Sequence, residues 1–349
     1  CTDGRGQPLP NYAVTIDSWL EQRSYIPNAI AMLGEGHASF AAELTAAVTA
    51  VSSPQAPTPD APQSGWVVVP PDRVLQPQPC QGGTTVTFDG SGAVARYTQG
   101  DRTLFAGALG SFMYQTVDVD DFAAFGRKYG DNFTACDVPA VAHDTCQQRV
   151  MYCGGGASSF VKVNMSGARP VRREATASLA RLWRHPTACR FVVETTLPTE
   201  AHTFAGAPAT VWSEWDVGTS AANRSLGLVL TYSNKTATRL PEALWVLVDP
   251  GADAPPALAA RKLGRFVDVH DVVRRGAVNF FAADAVQFTP RAAGPPAVVA
   301  SADAAIVGVG PPWPFPTRDS ERVEGAPRFG FNLANNIWST NFVQWYPYV

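Results

Sequence analysis

Two carboxylates sit in surroundings that suit acid and base work. Glu214 lies between Trp212 and Trp215, and Glu242 sits within Arg239-Leu-Pro-Glu-Ala-Leu-Trp245. Hydrolysis of a glycosidic bond needs two such groups about 5 to 9 Å apart, one to protonate the leaving oxygen and one to attack or to activate water. Spacing along the chain does not give that distance. For Glu242 a conformational role competes: following Pro241 at the start of a strand, it would pair with Arg239 or another cation. Asp118, Asp120 and Asp121 precede Phe122, Phe125 and Tyr129. That trio invites a metal, yet acids at a helix start also cap free N–H groups and favour the helix dipole. The five histidines are isolated, without an H-x-H or H-E-x-x-H pair. No G-x-S-x-G elbow occurs, and Gly154-Gly-Gly156 lacks the Lys-Ser/Thr of a phosphate loop. The sequence therefore assigns no catalytic residue, no metal ligand and no cofactor to this chain.

The closing stretch offers binding chemistry instead. Trp338, Phe342, Trp345 and Tyr346 stand among Asn332, Asn335, Asn336, Asn341 and Gln344. Aromatic faces beside amide donors and acceptors suit a sugar ring, which presents apolar C–H faces and a rim of hydroxyls. Trp338, Trp345, Asn335, Asn336, Asn341 and Glu242 form the candidate glycan set. The competing reading makes the Trp residues core plugs and the Asn residues turn formers.

These groups must be held by a chain of 349 residues, 46% hydrophobic, with a net charge of −3. Disorder does not fit, and the charge gives no electrostatic case for nucleic acid or membrane binding. No run of 18 apolar residues is present to span a bilayer. Four N-x-S/T acceptors occur, at Asn132, Asn164, Asn223 and Asn234. Of six cysteines, Cys136, Cys146 and Cys153 are clustered, while Cys1, Cys80 and Cys189 are scattered. Paired C-x-x-C spacings are missing, so disulfides fit better than a metal site, with the pairing open. Cys80, Cys136, Cys146, Cys153 and Cys189 are the disulfide candidates, and the expected location is secreted or lumenal.

The elements that position these residues are mostly strands. Over residues 11–51, Trp19, Ile26, Ile30, Leu33, Phe40, Leu44 and Val48 recur at helical spacing. Asp17 or Ser18 caps that pattern, with Glu21 placed for a capping box. Gly34-Glu-Gly36 breaks it, which predicts a helical hairpin within 1–51 whose apolar face docks on the following domain or on chain before Cys1. Residues 52–65 read as a Pro-rich linker. From residue 66 to 349 the pattern is β, with strands expected at 66–69, 84–88, 93–97, 103–105, 160–163, 190–195, 209–215, 227–232, 243–248, 265–268, 277–280, 297–300, 304–307 and 329–333. Asp89-Gly-Ser-Gly92 makes a hairpin turn, and 130–157 is a Cys- and Gly-rich loop. The expected fold is mostly β: a large antiparallel β-sandwich preceded by a short helical hairpin.

Several motifs run through the chain in one order: Ser18-Trp-Leu-Glu-Gln-Arg23, Gly110-Ser-Phe-Met-Tyr-Gln115, Arg239-Leu-Pro-Glu-Ala-Leu-Trp245, Lys262-Leu-Gly264 and Asn335-Asn-Ile-Trp-Ser-Thr-Asn-Phe-Val-Gln-Trp345. In these the chain resembles uncharacterised relatives of glycoside hydrolase family 38, the α-mannosidase-like group labelled domain of unknown function 5054. Ser339 departs from the glycine expected in the last motif. The resemblance implies a helical segment from the family's middle region followed by a mutarotase-like supersandwich. It places zinc ligands and the nucleophilic Asp in an upstream barrel that would precede Cys1, so no catalytic residue carries over. The expectation is a non-catalytic C-terminal region that supports such a barrel and contacts glycan. The alternative is a free-standing extracellular carbohydrate-binding or structural glycoprotein.

Overall fold

The structure is a computed structural model and describes residues 24–52, 65–118, 120–121, 172–220, 222–236, 241–251, 258–271, 279–289, 296–315 and 328–337. Its eighteen described strands form three sheets in which every pairing is antiparallel. The expected mostly-β, antiparallel sandwich is what the chain forms.

The largest sheet is nine-stranded. Its centre is β5 (Arg102–Thr116) beside β11 (Glu242–Asp249), which pairs in turn with β18 (Phe329–Asn335). On the far side of β5 run β4 (Val94–Gln99), β3 (Thr84–Phe88) and β2 (Gln78–Pro79), and β6 (Arg173–Thr176) pairs with the end of β5. Beyond β18 come β17 (Ile306–Val309) and β14 (Phe280–Ala282). A five-stranded sheet follows the order β1 (Val67–Val68), β7 (Ser178–Arg184), β8 (Arg190–Thr196), β9 (Thr210–Val217), β10 (Leu226–Ser233). The third sheet holds β13 (Arg265–Asp268), β12 (Leu258–Lys262), β15 (Ala285–Phe288) and β16 (Ala297–Ala300).

Side-chain alternation divides each strand between a core face and an outer face. In β9 the buried residues are Val211, Ser213, Trp215 and Val217, and Trp212, Glu214 and Asp216 point the other way. One apolar cluster joins all three sheets: Val86, Phe88 and Phe329 from the large sheet, Phe191 and Trp215 from the second, Val286 and Phe288 from the third. A second cluster, with Phe112, Tyr114, Leu244 and Val211, takes in the short helix at Thr199–Ala205.

β5 is much longer than its expected core of 103–105 because glycines interrupt the apolar pattern. Gly110 has φ +89, and a Cβ there would stand 2.7 Å from the Trp215 ring. The glycine lets the indole lie against the strand, and the β5–β11 register shifts beside it.

The helical segment is described from residue 24 onward. Residues 24–31 (α1) are helical, Gly34 turns the chain at φ +69, and α2 (Ala38–Ser52) follows. Tyr25, Ile26, Met32 and Phe40 are exposed, and no residue of 24–50 joins either of the two large core clusters. Asp17, Ser18, Glu21, residues 53–64 and the loop at 130–157 lie outside the described residues.

Candidate functional site

Glu242 begins β11 at the end of the large sheet, on the face that meets the five-stranded sheet. The register sets Leu244 opposite Tyr114 and Glu242 opposite Thr116, which brings the Tyr114 side chain alongside the carboxylate. Glu242 is 4% exposed and its carboxylate is fully engaged. Oε2 accepts the Tyr114 hydroxyl at 2.6 Å. Oε1 accepts Lys235 Nζ at 2.6 Å and Asn336 Nδ2 at 3.0 Å. The backbone joins in: Glu242 N–H donates to Asn336 Oδ1 at 2.8 Å, and Asn336 N–H donates to Glu242 O at 3.1 Å.

This node ties together β5, β11, the link after β10 and the end of β18. Lys235 also donates to Thr236 O, and Thr236 N–H donates to Gly206 O at the C-cap of the short helix. The Tyr114 hydroxyl contacts Ala205 O in the last turn of that helix. Burial first, and then the neighbouring Glu242 charge, push Tyr114 well above the usual phenol range. Tyr232 on β10 is raised for the same two reasons in the same order. Both phenols therefore stay neutral donors at physiological pH.

Glu214 goes elsewhere. It lies on the outer face of the five-stranded sheet with Trp212, while Trp215 points into the core. Its carboxylate has no hydrogen bond or ion pair among the described residues. Glu214 and Glu242 thus face opposite sides of one sheet and do not form an acid/base pair. Around Glu214 the outer face carries Trp183 and Trp212, whose rings lie 5.5 Å apart, and Trp66 with Arg190 5.8 Å over its ring. Glu194 on the same face has a buried oxygen without a hydrogen bond, since Arg181 Nε at 3.8 Å is an ion pair only.

Of the candidate glycan set, Asn335 and Asn336 are described and both are occupied within the fold. Asn335 Nδ2 donates to Asn332 Oδ1 at 2.6 Å, and Asn332 Nδ2 donates to Leu244 O at 3.1 Å. The last bond fills a bulge in the β11–β18 pairing between Leu244 and Trp245. Ile337 then packs with Val117, Phe315 and Trp313. Trp338, Asn341 and Trp345 lie outside the described residues.

Two of the three acids, Asp118 and Asp121, cap a helix start. Asp118 Oδ1 accepts Asp121 N–H at 2.9 Å, and Asp121 Oδ2 accepts Asp118 N–H at 3.0 Å, a reciprocal capping box. Burial pushes the Asp121 carboxyl up, despite Arg172 3.6 Å away. Among the described residues no group of three or more His, Cys, Asp or Glu is placed to hold a metal ion.

Cys80 and Cys189 form a disulfide. It joins the start of the large sheet to the loop between β7 and β8. Cys1, Cys136, Cys146 and Cys153 lie outside the described residues, as do the acceptors Asn132 and Asn164. Asn223 and Asn234 are both exposed, and Asn223 Oδ1 accepts the N–H and hydroxyl of Ser225, its own acceptor-site residue.

Sequence reasoning missed Lys235, Tyr114 and Tyr232 as partners of Glu242. Lys235 carried only its place in the Asn234 triplet, and Tyr114 reaches the site through strand register, for which no local signal exists. No helix of the described residues is long and apolar enough to cross a membrane. No protein-family model and no curated protein matches the chain.

Proposed function

We propose that the chain is a non-catalytic β-sandwich region of a secreted or lumenal protein related to the α-mannosidase-like glycoside hydrolases. In this reading it supports an upstream catalytic barrel, where any zinc would reside, and its closing stretch contacts glycan. The observation that carries the proposal is the state of its two most enzyme-like carboxylates. Glu242 is buried and spent on Tyr114, Lys235 and Asn336, and Glu214 lies on the other side of the five-stranded sheet. A hydrolytic pair needs both carboxyls at one bond. The disulfide and the exposed Asn223 and Asn234 acceptors support an oxidising, secretory location.

Titration of the purified chain with mannose-terminated oligosaccharides, followed by tryptophan fluorescence and calorimetry, tests the binding half. The expected outcome is saturable binding that Trp338→Ala and Trp345→Ala abolish without unfolding the chain. If both variants bind as the parent does but lose several kcal/mol of stability, as core truncations do, the stretch is structural and the glycan reading fails.

A further inference from the structure

We propose that the tip of the β12–β13 hairpin is a membrane-contact element, in which Leu263 enters the interfacial region of an anionic bilayer and Lys262 and Arg265 meet its headgroups. Lys262 and Arg265 are paired across a two-residue turn made by Leu263 and Gly264. Both turn residues are in the left-handed region, at φ +48 and +81. Such a turn favours Asn-Gly or Asp-Gly, and a leucine there is a steric outlier. Leu263 is also 106% exposed, more than any other large apolar side chain among the described residues. Neither the backbone nor solvation favours leucine at this position, and an outlying backbone conformation of this kind points to a use.

The surrounding charge identifies the occupant. Arg261 is neutralised by Asp284, with bonds of 2.9 and 2.7 Å. Lys262 lies 4.5 Å over the Phe281 ring and donates to Ala282 O, without a carboxylate partner. Arg265 is exposed and has no partner among the described residues. The apex is therefore an apolar side chain flanked by two cations without a carboxylate partner, Arg265 free and Lys262 held against the sheet by Ala282 O and the Phe281 ring, a local feature hidden by the chain's net charge of −3. Phe266 and Val298 add exposed apolar surface to the same sheet. A specific protein interface covers about 800 Å² on each partner. A single turn with one protruding leucine offers far less, whereas a bilayer needs no matched surface. One leucine and two cations give a weak, salt-sensitive contact rather than an anchor. This inference rests neither on the glycosidase-related reading nor on its secretory location.

The test is co-flotation of the whole chain with vesicles of phosphatidylcholine containing roughly 30% phosphatidylserine, and with phosphatidylcholine alone. The expected result is binding to the anionic vesicles that weakens with salt and falls about tenfold in Leu263→Asn. That variant supplies the residue the turn prefers, so its thermal midpoint should equal or exceed the parent's, which removes misfolding as an explanation. Arg265→Glu should lose the preference for anionic lipid. Absence of parent flotation, or undiminished flotation of Leu263→Asn, overturns the proposal. Self-association of the parent in sedimentation, lost in Leu263→Asn, would also overturn it by assigning the tip to a protein contact.

Discussion

Replacing Glu242 by alanine should destabilise the chain severely, and for a nameable reason. The carboxylate is 4% exposed, and Lys235 Nζ, 2.6 Å away, belongs to a side chain only 14% exposed. Removing the acid strands that ammonium in a poorly solvated position. It also deprives the Tyr114 hydroxyl and the Asn336 amide of their acceptor. Breaking one side of a buried pair costs about 3–5 kcal/mol, which for a chain of this size lowers the melting midpoint by roughly 4–7 °C. Urea denaturation followed by tryptophan fluorescence, with calorimetry as a second probe, measures both quantities. The double variant Lys235→Met/Glu242→Leu removes both charges together and should recover to within about 1–2 kcal/mol of the parent. Glu242→Gln keeps the shape and should fall between the two. If Glu242→Ala costs less than about 1 kcal/mol, or the double variant is no better than the single, the node is not structural and the reasoning fails.

Two further outcomes follow from the same structure. The Cys80–Cys189 bridge spans 109 residues of sequence, so Cys80→Ser/Cys189→Ser should lose about 4–5 kcal/mol by chain-entropy reasoning, read as a lower urea midpoint that reductant no longer changes. Tyr114 has its folded pKa raised above the unfolded value by burial and then by Glu242. Its contribution is therefore fully present below about pH 10, where unfolded tyrosine begins to ionise, and is lost as pH rises toward the folded value. Tyr114→Phe should be less stable at pH 8 yet decline less steeply above pH 10, as urea midpoints across that range would show.

Local patterns made part of this fold legible. Thr84–Phe88 alternates cleanly and is a strand over the expected residues, and Asp118 and Asp121 cap a helix as their residue types imply. β5 was only partly legible, because Gly107 and Gly110 interrupt its apolar run for reasons that lie on other strands: Asp249 and Gly251 against the first, Trp215 against the second. β7 was missed because Arg181 and Arg184 blur its alternation, and its bulge at Leu179 shifts the register. At the site a cation beside Glu242 was legible from its place after Pro241, and the cation that pairs with it is Lys235. Arg239 lies outside the described residues. The two carboxylates are 28 positions apart, and which side of a sheet each faces depends on strand pairing that no local window contains. The Asn residues after Phe331 read as sugar contacts or turn formers, and Asn332, Asn335 and Asn336 spend their amides on the β11–β18 junction.

The proposed role is to support chemistry without performing it. Turnover of a 4-nitrophenyl α-mannoside by the purified chain, with and without added zinc, tests that most directly. The account predicts no release of nitrophenol above the uncatalysed rate in either condition. Sustained release that co-purifies with the chain and disappears in Glu214→Gln or Glu242→Gln variants that remain folded would contradict it.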